Sequence, residues 1–383
     1  MIKLKLIILT GVALFAALAS AITPAPPALG AEGYILMDFY SGQVIAERNA
    51  DEPLPPASLT KMMTSYVVSS ELAAGNISRD DMVTISENAW AKNFPESSKM
   101  FIEVGKQVSV SDLMKGLIIS SGNDASVALA EHVAGSEDSF AQLMNHYGRK
   151  LGLENTVFVN SHGLTADSHQ TTARDMAVLG QALIRDFPED YALYEVKQFS
   201  FNNIAQYNRN RLLWDRSLNV DGIKTGHTEA AGYCLVSSAV KDGMRLIAVV
   251  MGASSEESRK VESKKLLTYG FRFFETVKPL KANTEVHQAR VWGGDVELAR
   301  LGVLDEIWLT IPRGKRDSVK ANYVVEQELD APIAKGQVVG KIFFQLGDDE
   351  LAEAPLVALD DVAEGGWFSQ LLDSISRWFS GLF

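Results

Sequence analysis

The chain has few of the residues that build disulfides and metal centres. Its single cysteine, Cys234, cannot form an intramolecular disulfide, and its apolar neighbours favour a small core residue. The six histidines form neither an H-E-x-x-H nor an H-x-H pair. This spacing argues against a zinc peptidase, and no metal or organic cofactor is expected.

Positive charge is also scarce. The sequence has 36 Lys and Arg against 48 Asp and Glu, a formal net charge of -12 at pH 7. Nucleic acid is therefore not an expected partner. A phosphate-binding loop has glycine directly before its lysine. Ile223 precedes Lys224-Thr225 here, so this pair is not part of a phosphate-binding loop.

The N-terminus has the features of a targeting segment. Lys3 and Lys5 precede an apolar stretch over positions 6–18, which ends at the small residues Ala19-Ser20-Ala21. This pattern predicts a secretory signal peptide, although an uncleaved anchor is an alternative. Removing residues 1–21 would leave a mature chain with two fewer positive charges. No cysteine lies near the leader's end, which argues against a lipoprotein.

A Ser-x-x-Lys motif occurs where a helix is predicted to begin. Ser58 and Lys61 follow two prolines and belong to an apolar-periodic run, so they should share one helix face. A lysine of lowered pKa can activate a serine hydroxyl, and Lys224 would supply a nearby cation. The alternative is an ordinary helix cap followed by a solvated lysine.

Two further motifs follow in the sequence. Ser121-Gly122-Asn123 lies between two apolar runs and predicts a helix-to-helix junction with Asn123 or Asp124 as the cap. Its functional interpretation is that Ser121 passes a proton to a leaving amine while Asn123 binds a peptide backbone; a plain turn is the alternative. Lys224-Thr225-Gly226 precedes a predicted hairpin and fits an edge strand beside a cleft.

The three motifs in this order are the signature of penicillin-binding proteins and serine β-lactamases. The longer strings over 56–64, 121–125 and 220–228 resemble the D-alanyl-D-alanine carboxypeptidases of the penicillin-binding protein 5 and 6 type. The resemblance runs from about residue 34 to the C-terminus. It implies a serine enzyme that removes the terminal D-alanine from peptidoglycan pentapeptide stems and is acylated by β-lactams.

The resemblance also implies a role for each matching residue. Ser58 would be the acylated nucleophile, Lys61 its general base, and Ser121 and Asn123 the central proton relay and substrate clamp. The substrate would be bound by Lys224, Thr225, Gly226, His227, Arg209 and Arg259. The backbone N–H groups of Ser58 and His227 would form the oxyanion hole. Two segments depart from the family pattern: the loop 93–101 is shorter than expected, and 252–257 is more acidic.

Composition changes near Pro279. Upstream, helical runs such as 173–186 and 258–274 alternate with strands. This favours an α/β (α+β) sandwich of the penicillin-binding and serine β-lactamase type, with an antiparallel sheet covered by helices. Downstream, short β-type runs predict a small all-β domain. We therefore expect a signal peptide (1–21), a linker (22–33), a catalytic domain (34–278), a β-rich domain (279–363) and a C-terminal amphipathic helix (364–383).

The C-terminal helix has one apolar face rich in aromatic side chains. It is too short and too polar on its other face to span a bilayer, but it suits the membrane interface. Docking on the β domain or on a partner is the alternative. The expected protein is thus a periplasmic enzyme attached peripherally to the outer face of the inner membrane. A β-lactamase-like hydrolase and a non-catalytic peptidoglycan-binding scaffold remain alternative functions.

Overall fold

The computed structural model describes residues 23–325 and 328–367. The expected signal peptide and almost all of the expected C-terminal helix lie outside these residues. Within them, no helix is long and apolar enough to cross a membrane.

Helices and strands alternate up to residue 273, and strands dominate after it. The helices are α1 Thr60–Ala73, α2 Val110–Ile118, α3 Asn123–Ala134, α4 Glu137–Lys150, α5 Ala173–Asp186, α6 Pro188–Tyr191 and α7 Glu256–Phe273. The strands are β1 Gly33–Asp38, β2 Val44–Arg48, β3 Met82–Thr84, β4 Gln107–Ser109, β5 Gln198–Phe201, β6 Ile204–Tyr207, β7 Val220–Thr228, β8 Gly232–Lys241, β9 Met244–Ala253, β10 Phe274–Leu280, β11 Thr284–Trp292, β12 Leu298–Val303, β13 Ile307–Pro312, β14 Val319–Val325, β15 Leu329–Asp330, β16 Val338–Leu346 and β17 Asp349–Ala358.

The first unit is built on an antiparallel sheet of order β2-β1-β9-β8-β7. The predicted hairpin is confirmed as β8 and β9, and the predicted edge strand is confirmed as β7. A second Ser-x-x-Lys match, Ser238 to Lys241, lies within β8. Because strand positions three apart point to opposite faces, that match does not place its two side chains together.

Helices cover both faces of this sheet. Along β1, Ile35 and Met37 pack into the core formed with α1 to α5, while Leu36 packs into the core that contains Leu266 and Leu267 of α7. Strands buried on both faces carry apolar side chains at successive positions, as β9 does. The expected helix-covered antiparallel sandwich is confirmed.

Helix α1 is buried on all sides over its first ten residues, including its polar ones. Neighbouring segments provide partners for several of these polar groups: the Thr64 hydroxyl donates to Ser161 O at 2.5 Å, and the Ser65 and Tyr194 hydroxyls are 2.5 Å apart. Buried polar groups need such partners, so α1 is fixed in both rotation and translation. The functional side chains that it carries are therefore held rigidly.

The second unit is the predicted β-rich one. Its six-stranded sheet has the order β14-β16-β17-β12-β11-β15, and β10 pairs with β13 beside it. The chain enters this unit directly from α7 at Phe274. The two units touch through Tyr40 and Trp308, whose rings stack with centroids 4.5 Å apart, and through the hydroxyls of Ser41 and Thr310 at 2.6 Å.

Candidate active site

Ser58 lies in a single 3₁₀ turn, Ala57–Leu59, that leads directly into α1. Neither this turn nor α1 is capped by a side chain, so the helix-cap interpretation of Ser58 is wrong. Ala57 has a positive φ of 47°, a conformation that costs a residue with a Cβ about 1–2 kcal/mol. Such strain is usually retained where it positions a functional group.

Two glycines allow other segments to approach this turn. A Cβ on Gly163 would lie 1.8 Å from Ala57 O, and a Cβ on Gly226 would lie 3.0 Å from Pro56 O and 3.3 Å from Ser58 N. The absence of a side chain at Gly226 therefore lets β7 pack against the backbone that carries Ser58, and Gly226 also lines the cleft.

Lys61 is completely buried beneath the serine. Its Nζ lies 3.1 Å from Ser58 Oγ, 2.7 Å from Asn123 Oδ1 and 2.5 Å from the carbonyl oxygen of His162. Burial lowers the pKa of Lys61 to about 7, and the charge of Arg209 acts in the same direction. The amine is therefore present in substantial amount as the neutral base near neutral pH.

The turn between α2 and α3 brings Ser121 and Asn123 to the same place. Gly122 occupies the N-cap position of α3, and Asn123 is the first helical residue, so the expected cap by Asn123 or Asp124 is wrong. Asp124 instead accepts hydrogen bonds from a neighbouring loop. Ser121 has a positive φ of 59°, which turns the chain sharply between the two helices.

Strand β7 provides the opposite wall. Lys224 is buried and its Nζ donates to Ser121 Oγ at 2.8 Å. Its pKa lies well below 10.5 because of burial and the charges of Lys61, Arg209 and Arg259. We expected Lys224 to be the cation that acts on Lys61. Arg209 is instead the cation whose charge lowers the pKa of Lys61, and the charge of Lys61 in turn lowers the pKa of Lys224.

The remaining predicted residues lie at the cleft's open side. Arg209 is exposed, whereas Arg259 of α7 is buried and donates to Gly226 O at 3.0 Å. His227 is exposed and stacks on Tyr233 with ring centroids 4.0 Å apart. The Arg259 guanidinium lies 5.5 Å from the Tyr233 ring centroid. Tyr233 thus supports both side chains.

The cleft between these walls has a volume of about 740 Å³. Eight of the ten predicted residues line it: Ser58, Ser121, Asn123, Arg209, Thr225, Gly226, His227 and Arg259. The other two, Lys61 and Lys224, are buried beneath and bonded to lining residues. The structure therefore brings together all ten residues from five separate stretches of sequence.

The two segments that we expected to depart from the family pattern also border the cleft. Glu96, Ser97 and Ser98 of the loop 93–101 line it, and so does Glu256 of the segment 252–257. Glu256 lies 3.7 Å from Arg259 and 3.7 Å from Arg211, so this acid pairs with the cleft arginines. Both segments therefore contribute side chains to the wall of the cleft.

Sequence reasoning missed several groups that build the site. His162 contributes its backbone carbonyl, and Gly163 packs on Ala57. Tyr233 was overlooked, and Asp124 was considered only as a helix cap. Backbone carbonyls carry no sequence signal. The His162-Gly163 pair had only a weak sequence signal, a glycine beside a histidine in a polar stretch. Tyr233 could have been found from its position opposite His227 in the β7–β8 hairpin.

Among the described residues, no group of three or more His, Cys, Asp or Glu side chains is placed to hold a metal ion. Cys234 is fully buried, and its thiol contacts Ala231 O at 3.4 Å. Burial raises the pKa of this thiol to about 11, so the thiolate is not formed near neutral pH.

Two family models match nearly all of the described chain. Residues 20–255 match the D-alanyl-D-alanine carboxypeptidase family, and residues 274–364 match the C-terminal domain of penicillin-binding protein 5. The D-alanyl-D-alanine carboxypeptidase DacA of Escherichia coli K12 is 53% identical over 360 residues, which cover 93% of this chain and 89% of the relative. DacC of the same strain is 53% identical over 365 residues, 93% of this chain and 91% of that relative.

Solved structures agree in fold and in sequence. Penicillin-binding protein 5 from Haemophilus influenzae superposes with a TM-score of 0.87 at 51% identity, covering 89% of this chain and all of that one. Penicillin-binding protein 6B from Escherichia coli gives a TM-score of 0.75 at 42% identity, covering 88% and 98%. The expected resemblance is confirmed: the chain belongs to the D-alanyl-D-alanine carboxypeptidase family of S11 serine peptidases, with the C-terminal domain of penicillin-binding protein 5.

Proposed function

We propose that this protein removes the terminal D-alanine from peptidoglycan pentapeptide stems through an acyl-enzyme on Ser58. The residues of the three motifs, His227 and the two cleft arginines have the roles that the family resemblance implies. The reaction has two halves, acylation of Ser58 with release of D-alanine and hydrolysis of the acyl-enzyme by water.

One observation supports this proposal most directly. A neutral lysine amine has two N–H groups and one lone pair. Asn123 Oδ1 and the His162 carbonyl oxygen are acceptors that take the two N–H groups of Lys61, at 2.7 and 2.5 Å. The lone pair is then directed to Ser58 Oγ at 3.1 Å, the geometry required of a general base.

In acylation, Lys61 takes the proton of Ser58 as Oγ attacks the carbonyl carbon of the penultimate D-alanine. The negative charge on the tetrahedral intermediate is stabilised by the backbone N–H groups of Ser58 and His227. Strand β7 lies close to the Ser58 turn, since a Cβ on Gly226 would lie only 3.3 Å from Ser58 N. This closeness supports the proposal that the N–H groups of Ser58 and His227 act together on the same oxygen.

Collapse of the intermediate expels D-alanine, whose amine must gain a proton. Ser121 donates it and is re-protonated by Lys224, which lies 2.8 Å away. A lowered pKa suits Lys224 to this task, because an ordinary lysine holds its proton too strongly. Before the second half-reaction, the proton that Lys61 took from Ser58 must pass to Lys224 by way of Ser121, which leaves Lys61 neutral again. Water then attacks the acyl-enzyme as Lys61 accepts its proton, and Lys61 passes that proton to Ser58 Oγ as the serine is released.

Arg209 and Arg259 bind the substrate's terminal carboxylate. Both line the cleft, and a planar guanidinium can pair with both carboxylate oxygens. Penicillin acylates Ser58 in the same way, because its strained amide resembles the D-Ala-D-Ala bond. A similar protein, penicillin-binding protein D2 from Listeria monocytogenes, has been solved in an ampicillin-bound form, at 29% identity and with 65% of this chain covered.

The test measures D-alanine release from a pentapeptide ending in D-Ala-D-Ala, for residues 22–365 and for its Ser58→Ala variant. Release by the parent and none by the variant is expected, with a stable penicilloyl adduct on the parent alone. Equal release by both would reject Ser58 as the nucleophile. Rapid turnover of the adduct would favour a β-lactamase, and absence of release from both would favour the scaffold.

We further propose that the protein is held at the outer face of the inner membrane by its C-terminal segment. Trp367, Phe368, Leu371, Leu372, Ile375, Trp378, Phe379 and Leu382 recur at helical spacing there. The segment has one basic residue, Arg377, so apolar insertion rather than attraction to anionic lipid must dominate. The full-length protein should pellet with membranes, and truncation after Gly365 should release it; identical fractionation would reject the anchor.

A further inference from the structure

We infer that Asp124 is a positioning residue for this reaction. Its carboxylate fastens the loop 97–102, here called the Asp124 loop, to the N-terminus of α3 and thereby fixes the side-chain amide of Asn123. This inference rests on the proposed roles of Ser58, Lys61 and Asn123.

The Asp124 carboxylate is fully buried and its partners are backbone N–H groups. Oδ1 accepts from Met100 at 2.7 Å and Ala125 at 2.9 Å, and Oδ2 accepts from Phe101 at 2.8 Å and Ile102 at 3.2 Å. A buried carboxylate costs several kcal/mol unless it is compensated in this way. Three of the four N–H groups belong to consecutive residues of the Asp124 loop.

The Asp124 loop is pressed closely onto the helices behind it. A Cβ on Gly122 would lie 2.8 Å from Asp124 Oδ1 and 3.0 Å from Met100 N, and one on Gly116 would lie 2.2 Å from Met100 Sδ. Phe101 has a positive φ of 71°, which is unfavourable for a residue with a side chain. The bonds to the carboxylate compensate this strained backbone.

The same loop holds the residue next to Asp124. Asn123 N donates to Ser98 O at 2.8 Å, and Asn123 Nδ2 donates to Ser97 Oγ at 2.9 Å. With Nδ2 directed to Ser97, Oδ1 faces Lys61 Nζ at 2.7 Å. A loop that moves away would free the amide to rotate, and Lys61 would lose one of the two acceptors that direct its lone pair to Ser58.

The loop also contacts the cleft's other side. Gln206 Nε2 donates to Met100 O at 3.2 Å, and Asn202 Nδ2 donates to Phe101 O at 3.3 Å. These two residues belong to the β5–β6 hairpin, which leads to the cleft residue Arg209. The carboxylate of Asp124 therefore connects the general-base side of the site to the segment that carries a substrate-binding arginine.

Asp124→Asn tests this role because it keeps the side chain's size but turns an NH₂ group towards backbone donors. We expect penicillin acylation and D-alanine release to fall at least tenfold, mainly in kcat. The amides of Met100 and Phe101 should exchange hydrogen faster than in the parent. The negative charge of Asp124 raises the pKa of Lys61, whereas burial and Arg209 lower it. Removing that charge should therefore lower the pKa of Lys61 and move the midpoint of the acylation pH profile to lower pH.

Asp38→Asn is the matched control. Asp38 is also a fully buried carboxylate, accepting from Tyr40 N at 2.8 Å and Ser41 N at 3.1 Å, and it does not line the cleft. Its variant should lose stability without losing acylation rate. If Asp124→Asn is acylated at the parent's rate and its Met100 and Phe101 amides exchange hydrogen at the parent's rate, the inference is overturned.

A second measurement applies if Asp124→Asn does not fold. In the parent, the amide of the half-exposed Phe101 should exchange as slowly as amides within α3; exchange at the rate of a free loop would overturn the inference. Ser58→Ala separates the two proposals. Release by Ser58→Ala would reject the proposed function, whereas failure of Asp124→Asn to change the kinetics would reject only the positioning role.

Discussion

The chemistry of Lys61 depends on the residues packed around it. In water a lysine is protonated up to about pH 10.4 and cannot act as a base at neutral pH. Here burial moves its pKa to about 7, with a second contribution from Arg209. Its sequence position three residues after Ser58 fixed only the pairing; the segments packed around α1 lower its pKa, so that the neutral amine is present near neutral pH.

The first prediction concerns pH. Because deprotonation creates the active base, the rate of Ser58 acylation by penicillin should rise with pH and reach half of its plateau near pH 7. Arg209→Gln removes a cation that favours the neutral amine, so the pKa of Lys61 should rise and the midpoint should move to higher pH. Stopped-flow acylation rates measured at each pH give the midpoint.

Arg211→Gln is the control for this change. Arg211 is also exposed and lines the cleft, but its charge is not among the causes of the Lys61 shift. The midpoint of the acylation pH profile of Arg211→Gln should equal that of the parent. An unchanged midpoint in Arg209→Gln would show that Arg209 does not influence Lys61.

At the scale of elements, the turn before α1 is shaped by a neighbouring segment. Gly163 approaches Ala57 so closely that no side chain fits between them, and the next backbone carbonyl towards the N-terminus, that of His162, binds Lys61. The 161–163 turn therefore packs against the strained Ala57 and also provides one of the two hydrogen-bond acceptors of Lys61 besides Ser58.

The second prediction is that Gly163→Ala disrupts the site. The added methyl group would lie 1.8 Å from Ala57 O, and Gly163 has a positive φ of 90°. We expect a loss of more than about 2 kcal/mol in the free energy of unfolding, from overpacking in addition to backbone strain, with acylation reduced at least tenfold. Urea unfolding and acylation rates measure the two effects.

Gly152→Ala is the matched control at this scale. Gly152 also has a positive φ, 76°, but a Cβ there would meet nothing within 4 Å. Its variant should lose only about 1 kcal/mol through backbone strain and keep the parent's acylation rate. If the two variants behave alike, the close approach to Ala57 is not what requires glycine at position 163.

At the scale of the whole molecule, the two units are joined by a small polar and aromatic contact. Asp38 Oδ2 accepts from the Thr276 hydroxyl, and the Tyr40 and Trp308 rings stack near the hydroxyl pair of Ser41 and Thr310. None of these residues lines the cleft. The contact should therefore stabilise the arrangement of the units without taking part in the reaction.

The third prediction follows from this separation. Trp308→Ala should lower the thermal stability of the β-rich unit and separate its unfolding from that of the catalytic unit, because about 0.5–1.5 kcal/mol of aromatic pairing is lost in addition to buried area. D-Alanine release from a short peptide should not change. Differential scanning calorimetry and the release assay measure these outcomes.

Tyr323→Ala provides the comparison for Trp308→Ala. Tyr323 is a half-exposed aromatic of the same unit that stacks on His287, away from the junction. Its loss should leave the coupling between the two unfolding transitions as in the parent. A single shared transition in Trp308→Ala would contradict the assigned role of the contact.

Much of this molecule was determined by local sequence. Apolar runs of helical or strand period, glycine turns and the spacing of Ser58 and Lys61 predicted α5, the β8–β9 hairpin, the edge strand β7 and the downstream strands, because side-chain periodicity reflects which face is buried. The three motifs also predicted the family. The cap of α3 was mispredicted because Asp124 has a long-range partner that a local pattern cannot reveal.

Only the tertiary structure decided the groups that act on the motifs from a distance. The His162 carbonyl, the close approach of Gly163, the effect of Arg209 on Lys61 and the anchoring by Asp124 all join residues far apart in the chain. A backbone carbonyl occurs at every residue, and a close approach between two segments depends on the fold, so neither can be recognised from residue type. Burial and electrostatic effects at a site depend on all the residues packed around it. The motif residues could therefore be predicted from the sequence, but their pKa values and orientations are determined by the fold.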